Sequence, residues 1–198
     1  MKIAGLLLAA GLSGRMKRFK PLLEIDGKPF VVIITEKLLS VCDNIFVVTG
    51  YKDGEVCNTI DLNLSEYGSR IEVVHNADYE SGMFSSLQAG LKSATESDWF
   101  LYHFIDQPGL ELKFYHSFIN EIDYNYNWIQ PVFKERKGHP LLFDSNVRRI
   151  ILDEKGITSL RDLQRNSEIK RKYWVCCTDL IFQDIDTPSD YNRIKDSI

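Results

Sequence analysis

Apolar runs of strand length alternate along this chain with segments of helical period. Ile3–Ala10 is continuously apolar and too short for a core helix, which predicts a buried first strand. Phe30–Val41 reads as a helix, although the β-branched run Val31, Val32, Ile33 and Ile34 also suits a strand. Asn44–Gly50 and Ile71–His75 predict further strands, Met83–Ala94 a helix, and Trp99–Ile105 a fourth strand ending at Asp106. An Asp106-Gln107-Pro108-Gly109 turn follows, then a helix from about Glu111 to Asp123 and a strand at Trp128–Phe133. A turn at Lys137-Gly138 leads to an extended piece at His139–Phe143, and helices are predicted near Asn146–Leu152 and Thr158–Asn166. Tyr173–Thr178 and Leu180–Asp184 read as late strands. Thr187 is placed to cap a last helix, with Pro188 at its first position.

Strands alternating with helices predict an α/β fold, a mostly parallel sheet with helices on both faces. Ligands of such sheets bind beyond the C-terminal ends of the strands. The length of 198 residues suits a single domain, 1–198. A net charge of −4, with the basic residues scattered outside one loop, lacks the footprint of a nucleic-acid binder. No stretch approaches the roughly 18 apolar residues of a membrane span. Cys42, Cys57, Cys176 and Cys177 show no metal-ligand spacing, so they read as reduced, small apolar residues of a cytoplasmic protein.

The candidate chemistry begins where the first strand ends. In Leu8-Ala9-Ala10-Gly11-Leu12-Ser13-Gly14-Arg15-Met16-Lys17-Arg18-Phe19-Lys20, small side chains let backbone N–H groups approach an anion, and Arg15 and Lys20 offer charge to outer phosphates. A secretory signal is the competing reading, but only Lys2 precedes the apolar run, and four cations between Arg15 and Lys20 would follow the cleavage point. A plain buried strand with a basic loop is the other. The spacing matches neither a P-loop nor a dinucleotide fingerprint.

Asp106 falls on the same edge of the predicted sheet. Alone, it reads as a turn residue. Beside a triphosphate loop, a carboxylate at a strand end is where Mg²⁺ would be held, with a second carboxylate and substrate phosphates. Asp184 and Asp186 are the candidates for that second acid, although Asp186 also suits the start of a helix.

The segments LAAGLSGRM…K, NADYESGMFSSLQAGL, FIDQPGL, KGHPLLF and DIDTPSDY together resemble the MobA-like nucleotidyltransferases, and within them the molybdenum cofactor cytidylyltransferase branch, over nearly the whole chain. The resemblance implies a Rossmann-like three-layer sandwich of the nucleotide-diphospho-sugar transferase kind. It implies a nucleotide-binding loop comprising Leu8, Ala9, Ala10, Gly11, Ser13, Arg15 and Lys20, with Arg15 and Lys20 on the triphosphate, and Ser86 at the base. It implies Mg²⁺ on Asp106 and Asp186, with Arg15, Lys20 and Asp106 as catalytic residues. Gly138, His139 and Pro140 match a motif on the acceptor side.

The implied reaction moves a nucleoside monophosphate, CMP from CTP or the GTP counterpart, to a phosphate-bearing small-molecule acceptor of the molybdopterin type, releasing pyrophosphate. A molybdoenzyme that receives the cofactor is the implied protein partner. An acceptor phosphate with a second pKa of about 6 is already dianionic at neutral pH, so no general base is required. His75, His103 and His116 read as structural or surface residues, and His139 stands between substrate contact and turn packing. Phe100, Tyr102 and Phe104 read as core aromatics; Phe84 is a better pocket candidate. One departure stands out: Lys17 occupies a position where the family usually carries glycine. It leaves room for an impaired, nucleotide-binding accessory protein, and the acceptor could instead be a sugar or polyol phosphate.

Overall fold

The computed structural model describes residues 1–153 and 157–195. Its first strand, β1 (Ile3–Leu8), is buried along its full length because it lies in the middle of the main sheet. A short ribbon, β2 (Glu24–Ile25) and β3 (Lys28–Pro29), leads into α1 (Phe30–Leu39), and the chain continues through β4 (Asn44–Thr49), α2 (Asp53–Leu64), β5 (Ile71–His75), α3 (Met83–Ser93) and β6 (Trp99–Phe104). The second half runs α4 (Leu112–Ile119), β7 (Trp128–Phe133), β8 (Arg136–Lys137), β9 (Leu141–Asp144), α5 (Ser145–Asp153), β10 (Arg171–Val175) and α6 (Pro188–Lys195).

The main sheet has the order β10-β7-β9-β6-β1-β4-β5, with β8 beside β7. The pairings β1 with β4 and β6, β4 with β5, and β7 with β10 are parallel, and among the described strands only β8 and β9 run against the rest. Strand alternation then builds three layers. Ile3 and Leu7 of β1 pack with residues of α1, α2, α4 and α6 on one face. Ala4, Leu6 and Leu8 pack with Leu87 and Leu91 of α3 and Val147, Ile150 and Ile151 of α5 on the other. The Rossmann-like sandwich is the fold observed.

Phe30–Leu39 is helical despite its β-branched run, because Val31, Val32 and Ile34 are all buried against the core and packing overrides propensity. Helix α2 is not predicted by the sequence pattern. Its apolar stripe is only Val56, Ile60 and Leu64, set among Asp, Asn, Thr and Gly, which reads as loop. Two predicted elements differ. Leu180–Asp184 is not a strand but a single 3-10 turn, Asp179–Phe182: the Thr178 hydroxyl accepts from the Leu180 N–H at 3.2 Å, and the Ile181 carbonyl serves His139 and Gln107 rather than a ladder. In place of a helix at Thr158–Asn166 there is a bend and a short 3-10 turn, Asp162–Arg165. Here the Asp162 carboxylate accepts from the N–H and hydroxyl groups of both Thr158 and Ser159, a local bonding set that competes with helix and holds its carboxyl below the usual range. Helix α6 begins at Pro188 as expected; Thr187 accepts from the Asp190 N–H, and Asp190 accepts in return from the Thr187 N–H.

Candidate functional site

The parallel register sets the floor of the site. Leu8 of β1 lies level with Val48 of β4 and Phe104 of β6. Ala9 and Ala10 continue past that level, tied to the neighbouring strand region by Ala9 N–H to Val48 O (2.8 Å) and Tyr51 N–H to Ala10 O (3.2 Å). The loop then turns back on itself. Ser13 and Lys17 both adopt left-handed backbone, at φ of 56° and 56°, and the Ser13 hydroxyl accepts from the Lys20 N–H at 3.0 Å. Met16, fully buried, anchors the loop in the core, while Lys17 is exposed.

This closure delivers the Lys20 side chain inward. Its ammonium lies 3.1 Å from Asp106 Oδ2 and 2.7 Å from Asp186 Oδ1, bridging two acids 80 positions apart in sequence. Arg15 reaches the other Asp186 oxygen at 2.9 Å from an exposed position. Asp184 stands nearby at the surface, accepting from Gln107 at 2.8 Å; partial desolvation first, and then the charge of Asp106, raises its carboxyl above the usual range. The turn that carries Asp106 is pinned from behind by Lys37 of α1, which donates to the carbonyls of Pro108 (2.6 Å) and Leu110 (2.8 Å); burial lowers its ammonium to about 8.

Two clefts open along this edge. The smaller, about 300 Å³, is lined by Leu8, Ala10, Gly11, Ser13, Lys20 and Ser86, together with Tyr79. Ser86 is buried and accepts from Asn76 at 3.0 Å; the same amide nitrogen serves Ser85, so the end of β5 fixes the first turn of α3. Gly90, one turn further along α3, has no side chain because a Cβ would lie 2.8 Å from Val48, and this keeps the helix low on the sheet. Ala9 lines neither cleft: its methyl is in the core and its N–H is bonded to β4.

The larger cleft, about 850 Å³, is lined by Arg15, Asp184, Asp186 and His139, by Phe84 of α3, and by Trp128, Gln130, Lys137 and Tyr173 of the β7–β8–β10 region. Met83, Phe104 and Asp106 line both clefts, so the two volumes meet at Asp106. Gly138 and Pro140 support His139 rather than lining the cavity. A Cβ on Gly138 would fall 2.6 Å from Ile181, and the Gly138 carbonyl accepts from Gln130 at 3.1 Å. Burial lowers the His139 imidazole to about 4, so it is uncharged at neutral pH. His103 lies on the opposite face of β6. Its Nδ1–H donates to the Phe104 carbonyl, leaving Nε2 to accept from the Tyr115 hydroxyl, each at 2.8 Å, and burial lowers it to about 3.

Asn76, Tyr79, Lys37, Gln130 and Tyr102 were not singled out from the sequence as parts of this region. Only the N-A-D-Y stretch directly after a strand gave a signal, for Asn76 and Tyr79. The others depend on which strand lies beside which. Among the described residues no three His, Cys, Asp or Glu side chains form a protein-only metal cage, and no helix is long and apolar enough to cross a membrane.

The loop places Lys20 in the smaller cleft and Arg15 in the larger, while Asp106 lines both and Asp186 the larger. The class defined by this fold and site is that of the nucleotide-transferring α/β domains. Residues 5–171 match the MobA-like NTP transferase domain, and the chain belongs to that family. It is similar to the molybdenum cofactor cytidylyltransferase of Escherichia coli (strain K12), with 27% identity over 196 residues covering 96% of this chain and 94% of that protein. It is also similar to the nicotine blue oxidoreductase of Paenarthrobacter nicotinovorans, with 28% identity over 205 residues, 97% of this chain and 96% of the other. Among solved structures, a nucleotidyl transferase from Methanothermobacter thermautotroptrophicus superposes with a TM-score of 0.79 at 22% identity, over 99% of this chain and 97% of that one.

Proposed function

We propose that this nucleotidyltransferase moves CMP from CTP to a molybdopterin-type acceptor phosphate, with release of pyrophosphate. One observation carries the reading: the cleft beside the glycine loop and the larger cleft meet at Asp106, where the α-phosphate of a nucleotide in the first would face an acceptor in the second. Similarity to the cytidylyltransferase supports CTP and this acceptor class.

Backbone N–H groups of the loop and the Ser86 hydroxyl hold the nucleotide, and Arg15 and Lys20 neutralise charge that builds on the departing pyrophosphate. The acceptor phosphate, dianionic at neutral pH, attacks phosphorus in line without a base, in keeping with the uncharged, weakly basic His139. The acids fit a divalent cation: Lys20 now places an ammonium between Asp106 and Asp186, and two carboxylates completed by substrate phosphates are what Mg²⁺ takes. When bound by Asp106 and Asp186, Mg²⁺ would supply charge stabilisation at the transferring phosphate. Lys20 then shifts from the acids to the triphosphate.

Pyrophosphate release is the test, with purified protein, Mg²⁺, CTP or GTP in separate reactions, and molybdopterin cofactor extracted from a molybdoenzyme. Release with CTP and the cofactor is expected. Release with GTP alone would overturn the choice of base, and nucleotide binding without release would overturn the enzymatic reading.

A further inference from the structure

Tyr102 of β6 is fully buried, and its hydroxyl oxygen is shielded from solvent with no hydrogen-bond partner among the described residues. Buried tyrosine hydroxyls normally find one, so an orphan needs an explanation. Core packing does not supply it. Phe100, two positions earlier on the same face, is equally buried and stacks on Phe143 at 5.6 Å without any polar atom.

What separates the two residues is the cleft. Tyr102 lines the larger one; Phe100 does not. Strand alternation puts Tyr102 and Phe104 in one row lining that cleft, and Asp106, in the turn just beyond the strand, lines both clefts. The Phe104 ring meets Tyr102 at 4.9 Å and His139 at 4.7 Å, both edge-on. Tyr102 therefore lines the larger cleft four residues before the transfer point at Asp106, its ring packed against Phe104. Burial, and then the negative charge of Asp106, hold the phenol in its protonated form, a hydrogen-bond donor.

We propose that Tyr102 is a specificity-determining residue for the acceptor, its hydroxyl donating to an uncharged oxygen or nitrogen in the part of that molecule behind its reactive phosphate. The inference rests on the assignment of the larger cleft to the acceptor. It calls for a phosphate-bearing molecule with a hydrogen-bonding head and disfavours one with a hydrocarbon head, which would leave the hydroxyl orphaned in the complex as well.

Tyr102→Phe removes one oxygen and keeps the ring. The melting temperature of the ligand-free variant should equal or exceed that of the parent, because an unpartnered buried hydroxyl is lost. KM for the acceptor should rise about tenfold, the size of one neutral hydrogen bond, with KM for the nucleotide unchanged. The acceptors are extracted molybdopterin cofactor and, in parallel, a panel of sugar and polyol phosphates. An acceptor KM within twofold of the parent, or a melting temperature several degrees lower, overturns the proposal while the acceptor reading stands. Activity of the parent only with the sugar or polyol phosphates, with KM for these raised in the variant, keeps the proposal and overturns the molybdopterin reading. No release with any acceptor overturns both.

Discussion

Replacing Lys17 by glycine tests how the glycine-rich loop after β1 holds its shape. Lys17 adopts left-handed backbone at φ 56°, exposes its side chain, and donates its N–H to the carbonyls of Ser13 (3.2 Å) and Gly14 (3.3 Å). Left-handed backbone costs a residue with a Cβ roughly 1–2 kcal/mol, and glycine is free of that cost. Glycine also loosens the unfolded chain, which offsets about 0.4–1 kcal/mol. The net expectation for Lys17→Gly is a gain of between zero and about 1.5 kcal/mol, or a rise of roughly 2–4 °C in melting temperature per kcal/mol for a domain of this size. Lys17→Ala is the control, since it removes the same charge and keeps the strain; its melting temperature should stay near the parent's. Pyrophosphate release should then change by less than about threefold in both variants, because the lysine already holds the backbone in the conformation glycine would take and an exposed charge contributes little. The assays are scanning calorimetry and steady-state kinetics. A fall in melting temperature for the glycine variant would refute the strain argument. A tenfold rise in turnover with glycine but not alanine would show that Lys17 distorts the loop, and would favour an impaired parent.

Lys20→Met leaves Asp106 and Asp186 facing each other without their shared cation, so the variant should melt below the parent; added Mg²⁺ should raise its melting temperature more than the parent's, and equal shifts would count against a cation site there. Asp106→Asn should reduce turnover by at least 10²-fold with the fold intact by circular dichroism, and retention of activity would remove Asp106 from the chemistry. His103 and His139 titrate in the folded protein at about 3 and about 4, against about 6.5 when unfolded, so the unfolded chain binds more protons between these limits. Stability is therefore expected to fall as pH drops below about 6.5, by up to roughly 1.4 kcal/mol per pH unit for each group. Urea midpoints unchanged between pH 7 and pH 4.5 would contradict that. Gly138→Ala presses a methyl onto Ile181, for a loss of about 1–3 kcal/mol, and should raise KM for the acceptor more than for the nucleotide, with a reversed split speaking against a role for this loop on the acceptor side.

The parallel half of the sheet was legible because β1, β4 and β6 are buried on both faces and so appear as predominantly apolar runs. The loop after β1 and the turn at Asp106 were legible as strand ends. Helix α2 was not, since only three of its residues meet the core. Leu180–Asp184 misled because an apolar trio can be buried in a turn as well as in a strand; Ile181 alone is fully inserted. The contact of Asp106 with Asp186 through Lys20 joins three distant segments, and local pattern contains no trace of the salt bridges that join them. Tyr102 failed for a different reason. Its oxygen looks incidental in an aromatic strand until the neighbouring strands show which end of the ring is left without a partner.

The alternation along β6 limits how this protein can vary. Tyr102 and Phe104 face the clefts, while His103 between them packs against Tyr115 in the opposite layer. Deleting a single residue within Trp99–Phe104 would exchange the two rows, sending a cleft aromatic toward the helices and a core imidazole toward the clefts. Substitution can tune this strand, but a change of its length cannot be absorbed locally. Insertions are far better tolerated in the exposed turn between β7 and β8, where an altered length leaves the phase of β6 untouched.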